Sequence, residues 1–278
     1  MKFRYLGTAA AEGVPAIFCA CENCRRARAI GGRALRSRSQ AIVDDELLID
    51  FPADTYCHFL REGLDMAKVH TCIVTHAHSD HLYPADLEMI RPGFSHLPKE
   101  YSLAFYGTKP VIDRLEPYYN MLAPDQRHIA SLNEILPFSV IEAGKYRITV
   151  LPAVHDPKSG PVFYMIEDGE KTVLYANDTD YFCDEVWAYF ETVKPKFDLV
   201  SLDCTNCLTF RDYIGHMGIE RNLKIRRQFL ALGYATEGTV FVCHHFSHNG
   251  EGAVYDDMIG PAAKEGFLVS YDGMVLEI

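Results

Sequence analysis

A chain of 278 residues, 48% of them hydrophobic, can bury a sizeable core as one large α/β domain or two small ones. Its formal charge of −11, from 27 basic against 38 acidic residues, argues against general binding of nucleic acid or of an anionic membrane surface. No secretory apolar region follows Met1-Lys2-Phe3-Arg4 and no apolar run approaches membrane-spanning length, so a soluble, cytoplasmic protein is expected. The nine cysteines then read as free thiols or metal ligands rather than a disulfide framework.

Residues 2–8 read as an opening strand ending at Gly7-Thr8. Beyond a loop, Phe18-Cys19-Ala20-Cys21-Glu22-Asn23-Cys24-Arg25 runs into a helix stopped by Gly31-Gly32. Three thiols so close together make three-quarters of a tetrahedral zinc site, with incidental reactive cysteines as the alternative; the fourth ligand must come from elsewhere. Arg25, Arg26, Arg28, Arg33, Arg36 and Arg38 form a strong basic cluster, read as a solvated helix face and loop. A hairpin at 40–49 is followed by a helix from about Ala53 to Leu60, with Tyr56, Phe59 and Leu60 expected toward the core and His58 a surface or core residue.

The strand at 69–75 delivers Thr75-His76-Ala77-His78-Ser79-Asp80-His81, and a helix from Leu82 to Ile90 follows, with Pro84 in its first turn. Residues 91–145 are less regular, with a strand at 102–106, a helix near 109–119, punctuation by Pro110, Pro117, Pro124 and Pro137, and His96 and His128 expected at the surface. Strands resume at 146–155, 162–166 and 172–175, the last running into Ala176-Asn177-Asp178-Thr179-Asp180. A helix at 182–192 and a strand at 197–203 lead to Asp203-Cys204-Thr205-Asn206-Cys207, whose cysteines read as structural thiols. Gly215-His216-Met217-Gly218 opens a long helix with Ile219, Leu223, Phe229 and Leu230 on one face. The strand at 239–243 delivers His244-His245-Phe246-Ser247-His248, and a last helix and a hairpin turning at Asp272-Gly273 finish the chain. Without repeat or linker, one domain spanning 1–278 is expected.

Four times an apolar strand ends in a polar residue suited to bind metal: His76, His155, Asp178 and His245. Imidazole and carboxylate at the spacing of His76, His78, Asp80 and His81 suit a divalent transition metal, the bland alternative being a solvated histidine-rich turn. Ligands at strand ends, with helices between the strands, describe a site along one edge of a sheet sandwich covered by helices.

The order His-x-His-x-Asp-His, a lone His, an Asp-Thr and a late His resembles the metallo-β-lactamase superfamily over nearly the whole chain. That resemblance implies an α/β fold, the four-layer αββα sandwich, with two divalent ions (zinc or manganese) that hold a hydroxide between them. His76, His78 and His155 would hold one ion, Asp80, His81 and His245 the other, and Asp178 would bridge them. The Gly-Thr near the start, Cys19-x-Cys21-x-x-Cys24 and His245-x-x-His248 are similar to the phosphoribosyl cyclic phosphate phosphodiesterases. In that family the three cysteines and the later histidine hold a structural zinc, which here implies Cys19, Cys21, Cys24 and His248, with no metal assigned to His244. The same resemblance implies a catalytic pair, His216 as general acid oriented by Asp203, beside the catalytic Asp80; a helix-capping histidine is the alternative for His216. The segment at about 91–145 departs from the family and is expected to wall the substrate pocket.

The expected activity is hydrolysis of a small, cyclic phosphodiester, with no long nucleic acid and no membrane as partner, and with a homodimer left open. A tRNA 3′-processing nuclease shares the metal set but needs a basic surface or arm. A non-catalytic carrier like the related protein of quinone-cofactor biosynthesis would be marked by missing ligands, whereas all seven residues of the dinuclear set are present.

Overall fold

Strand side chains alternate between faces, so runs such as 162–166 and 199–202, buried throughout, must be covered on both sides. The computed structural model, which describes residues 1–211 and 214–278, meets that demand with two sheets packed face to face and helices outside both. The first sheet contains β1 (Lys2–Gly7), β2 (Gln40–Val43), β3 (Leu47–Ile49), β4 (Thr71–Ile73), β5 (Leu103–Gly107) and β6 (Ala130–Glu134). The second contains β7 (Val140–Ala143), β8 (Tyr146–Pro152), β9 (Val162–Glu167), β10 (Thr172–Ala176), β11 (Leu199–Asp203), β12 (Val240–His244) and β13 (Leu268–Val269). The last strand, β14 (Met274–Glu277), returns to the first sheet beside β1.

Each sheet is antiparallel in one half and parallel in the other, from β3 to β6 and from β10 to β13. Parallel neighbours need a crossover, and helices supply most of them. After α1 (Glu22–Ile30) in the β1–β2 connection come α2 (Thr55–Glu62), α3 (Lys109–Tyr119), α4 (Asp184–Val193), α5 (Ile219–Ala231) and α6 (Tyr255–Lys264), each linking two parallel strands. None of the helices among the described residues is long and apolar enough to cross a membrane.

Between the sheets, Phe3, Tyr5, Val43 and Ile49 meet Ile148, Tyr164, Ile166 and Tyr175 in one apolar layer. Outside the second sheet, Phe182, Phe190, Phe197 and Phe229 form an aromatic cluster with α4 and α5. The layers are therefore α, β, β, α, the metallo-β-lactamase sandwich expected from the sequence.

Several local expectations are corrected. The buried face of α2 is Thr55, His58 and Phe59, while Tyr56 and Leu60 are 69% and 65% exposed. In so short a helix the apolar residues fit two phases, and packing on the sheet selects the one that buries His58 between Gln40 Oε1 (2.6 Å) and Ser37 Oγ (2.7 Å). Residues Pro84–Ile90 form a 3-10 turn rather than an α-helix. Segment 91–145 is more regular than expected, because β6 and β7 escape notice as short strands with polar or exposed residues. It touches the histidine-rich loop through Arg114, whose Nη1 donates to Ala77 O. Asp272-Gly273 does not turn a hairpin: it passes the chain from β13, paired with β12, across to β14, paired with β1. A turn sequence specifies a reversal, not the sheet in which the next strand pairs.

Phe190 has no exposed surface and packs among the rings of Phe182, Trp187, Phe197, Phe229 and Tyr234, so Phe190→Ala should leave a cavity and cost about 3–5 kcal/mol of stability. Chemical denaturation of the purified variant checks this.

Candidate functional site

β3 and β4 run parallel, so Asp50, just after β3, comes level with the start of the histidine-rich loop after β4. Asp50 Oδ1 accepts from the backbone N–H of Thr75 (2.7 Å) and from its Oγ1 (2.9 Å), while Oδ2 lies 2.7 Å from His81 Nδ1. One buried carboxylate thus holds both ends of the loop. Ala77 N–H donates to Ser159 O (3.0 Å), and the loop closes with His81 and Leu82 donating to His78 O (3.1 and 2.9 Å).

Two groups of donor atoms result. His76 Nε2 lies 3.0 Å from His78 Nδ1, which in turn lies 3.2 Å from His155 Nε2. Asp80, His81, Asp178 and His245 form the second group, and within each group the candidate atoms lie within 4.8 Å of one another. Asp178 Oδ2 stands between the groups, 2.6 Å from His81 Nε2, 3.3 Å from His245 Nε2 and 3.4 Å from His76 Nε2. All seven residues of the expected dinuclear set are therefore brought together.

The nitrogens facing away from the cluster are held as well. His76 Nδ1 meets Thr75 Oγ1 (3.1 Å), His155 Nδ1 donates to Gly215 O (3.2 Å), and His245 Nδ1 meets Thr205 Oγ1 (2.8 Å). His78 Nε2 lies 3.3 Å from Asp156 Oδ2. A ring that donates outward presents a lone pair inward, as a metal ligand must. Burial drives the His76 and His155 imidazoles below their ordinary range, which favours neutral rings. Burial acts the same way on His81, but Asp80, Asp50 and Asp178 outweigh it and raise that ring. This half of the cluster is built to hold positive charge.

The residues fit divalent cations. His81 Nε2, His245 Nε2 and Asp178 Oδ1 are buried atoms whose close contacts lack hydrogen-bond geometry, and mixed imidazole and carboxylate donors suit zinc or manganese. Beside them His216 Nδ1 lies 3.1 Å from Asp203 Oδ2 and 3.2 Å from Asp178 Oδ1. Asp203 is fixed in turn, its Oδ1 accepting from Thr205 N–H (3.0 Å) and Met217 N–H (2.8 Å). Burial lowers the His216 ring, but Asp203 and then Asp178 and Asp80 prevail and lift it to about 9.

Cys19, Cys21, Cys24 and His248 form a separate cluster, with Cys21 Sγ 3.5 Å from His248 Nδ1. Backbone N–H groups point at two of the sulfurs, Ala16 at Cys24 (3.3 Å) and Cys21 at Cys19 (3.4 Å). Cys21 stands at the N-cap of α1, and the Cys24 N–H and the His248 ring lower its thiol to about 6. Three thiols and an imidazole form a closed donor set that fits a structural zinc.

Elsewhere, His244 is buried between Ser39 Oγ and Ser270 Oγ (both 2.9 Å), Cys204 and Cys207 are buried in the core, and His96 and His128 are exposed. Sequence reasoning missed Asp50 and Thr205. Asp50 ends the apolar Leu47-Leu48-Ile49 run, the same pattern that singled out Asp178, so the signal was present. Nothing local marks Thr205, whose position depends on how β11 lies beside β12.

Residues 49–246 match the β-lactamase superfamily domain. An exodeoxyribonuclease, YycJ, of Bacillus anthracis is 25% identical over 128 residues, which are 46% of this chain and 43% of that protein. Among solved structures, a diphosphatase of the PhnP family superposes with a TM-score of 0.73 at 18% identity, covering 100% of this chain and 97% of the other. Zn(2+)-bound PqqB from Methylobacterium extorquens gives 0.72 at 18%, covering 100% of both chains. The short form of human tRNase Z gives 0.65 at 15%, covering 100% and 99%. At these identities the likeness to solved structures is one of fold.

Two outcomes test the ligand sets. Asp50→Asn should weaken metal binding at the histidine cluster by about 10- to 100-fold in a chelator competition, because His81 loses its orienting carboxylate. Cys21→Ser should lower both the zinc count and the melting temperature, measured by elemental analysis and thermal unfolding; an unchanged zinc count excludes the cysteine site.

Proposed function

Because this chain belongs to the β-lactamase superfamily, we propose that it is a metal-dependent hydrolase of small phosphodiesters, most plainly a cyclic phosphate on a sugar. The observation that carries this reading is Asp178, one buried carboxylate shared between two groups of donors, with His216 alongside. Two divalent ions held by these groups would activate water and neutralise both the attacking and the departing oxygen of an in-line displacement at phosphorus. Amide hydrolysis does not require both. Asp80, His81 and His245 would hold one ion, His76, His78 and His155 the other, with Asp178 between them.

The protein's own part is to position and to move a proton. Asp203 and Asp178 flank Nδ1 of His216 and favour the protonated ring, which would deliver a proton to the departing alkoxide. A departing alkoxide is a strong base and profits from that proton, whereas nitrophenolate does not need it. His216→Ala should therefore slow alkyl phosphodiesters by about 10²–10⁴-fold and nitrophenyl esters far less, measured as kcat across a leaving-group series. Equal losses across the series would reduce His216 to a helix-capping residue.

The net charge of −11 supports a compact substrate, since a long polyanion would be repelled outside the metal cluster. A second reading, a nuclease, is favoured by the match to an exodeoxyribonuclease. Assay of the manganese- and zinc-loaded protein separates the two. Bis(4-nitrophenyl) phosphate and ribose cyclic phosphates should be cleaved, and a β-lactam, a thioester and a single-stranded oligonucleotide left largely intact. An oligonucleotide degraded faster than every small diester would favour the nuclease, and a lactam or thioester as best substrate would overturn both.

A further inference from the structure

Two aspartates follow β10, and of these only Asp178 belongs to the groups of donor atoms. Asp180 is 6% exposed, and a carboxylate so buried is tolerated only where its oxygens are occupied. Its Oδ2 accepts from the Gly215 N–H (3.2 Å). Its Oδ1 accepts from the Tyr181 N–H (2.5 Å) and from Nη1 of Arg221, in the first turn of α5. The ion pair with Arg221 fixes the carboxylate against the helix that starts just past His216.

The backbone around Asp180 reaches the residues on both sides of it. Val154 N–H donates to Thr179 Oγ1 (3.0 Å) and Asp180 N–H to Val154 O (2.9 Å), which ties the turn after Asp178 to the residue before His155. Gly215 is gripped twice, its N–H by Asp180 and its carbonyl by His155 Nδ1 (3.2 Å). His216 comes next, and the Met217 N–H beyond it donates to Asp203 Oδ1 (2.8 Å). The turn that carries His216 is therefore pinned by one carboxylate before the ring and another after it. Gly215 has a φ of 128°, and a Cβ there would stand 3.4 Å from His155 Nδ1. Glycine permits that conformation but does not enforce it, so the constraint has to come from its neighbours.

We propose that Asp180 is a positioning residue for proton delivery by His216, acting through the Gly215 backbone. The inference rests on the reading of His216 as the general acid. A proton reaches a departing alkoxide only from a donor held within hydrogen-bond distance and aligned with it. A misplacement of about 1 Å can cost on the order of 10²-fold in rate. Asp203 holds the turn from its far side, and Asp180 holds the glycine that would otherwise let the near side swing. The same bond keeps the Gly215 carbonyl in place under His155.

Two variants test this in the metal-loaded protein. Asp180→Ala removes the acceptor from Gly215. Asp180→Asn keeps the volume, but with its one oxygen taken by Arg221 and the Tyr181 N–H it turns an N–H group toward Gly215. In both, kcat for a ribose cyclic phosphate should fall about 10- to 100-fold, and kcat for bis(4-nitrophenyl) phosphate, which also reports a folded site, far less. Added to His216→Ala, either change should cause little further loss on the cyclic phosphate, because the two residues act as one unit. Equal losses on both esters, or a full second loss in the double variant, overturn the positioning role. Amide exchange of the zinc-loaded protein, followed residue by residue by NMR, needs no substrate. The Gly215 N–H should exchange at least about tenfold faster in Asp180→Asn than in wild type, with β12 unchanged. Unchanged exchange at Gly215 overturns the inference outright. A wild type that cleaves no phosphodiester refutes the reaction and with it the proton delivery, while the exchange result still decides whether Asp180 holds the turn.

Discussion

Parallel pairing of β10 with β11 and of β11 with β12 brings three strand ends to one level, so Asp178, Asp203 and His245 leave the second sheet side by side. In the first sheet β3 and β4 do the same for Asp50 and the histidine-rich loop. The two sheets are tied at this end by Val162 N–H on Thr75 O (2.9 Å) and by Tyr164 Oη on Val74 O (2.7 Å). Strand ends facing each other across the sandwich make the cleft, and everything chemical about the protein depends on that alignment.

Such a cleft concentrates buried charge. Asp50, His81 and Asp203 have no exposed surface, and Asp178 and His245 have almost none. Buried carboxylates and imidazoles are tolerated only where each is paired, hydrogen-bonded or bound to an ion. Outward nitrogens are therefore anchored one by one, and the inward atoms are left with cation-binding geometry. Backbone strain gathers at the same place: Asp50, Asp178 and His245 all have positive φ, at 69°, 47° and 63°. Non-glycine residues hold that conformation only where the surroundings over-determine it, and such positions concentrate at functional sites.

The segment from His245 to His248 joins three features that are far apart in the chain. His245 faces Asp178, Phe246 lies under Arg36, and His248 meets the thiol of Cys21. The N-terminal loop is thus held to the end of the second sheet that carries the histidine cluster. A closed thiolate site suits that tethering role, since it offers no position for a reactant.

Much of this was legible in the residues themselves. The density of His76, His78, Asp80 and His81 behind an apolar strand marks a candidate metal-binding loop, and the structure brings those donors together. The apolar strands between amphipathic helices announce a layered α/β fold. The spacing of Cys19, Cys21 and Cys24 announces a site short of one ligand. Depth and register were not legible. A basic run does not disclose that Arg36 is buried while Arg33 stays at the surface, because both outcomes have the same local sequence. A short helix does not disclose whether Tyr56 or His58 faces the sheet. The turn at Asp272-Gly273 does not disclose that the chain changes sheets. Asp50 and Thr205 gained their roles from pairings between strands distant in sequence. Those pairings are decided by which faces the whole sandwich can bury, a condition that local sequence cannot express and only the packed tertiary structure satisfies.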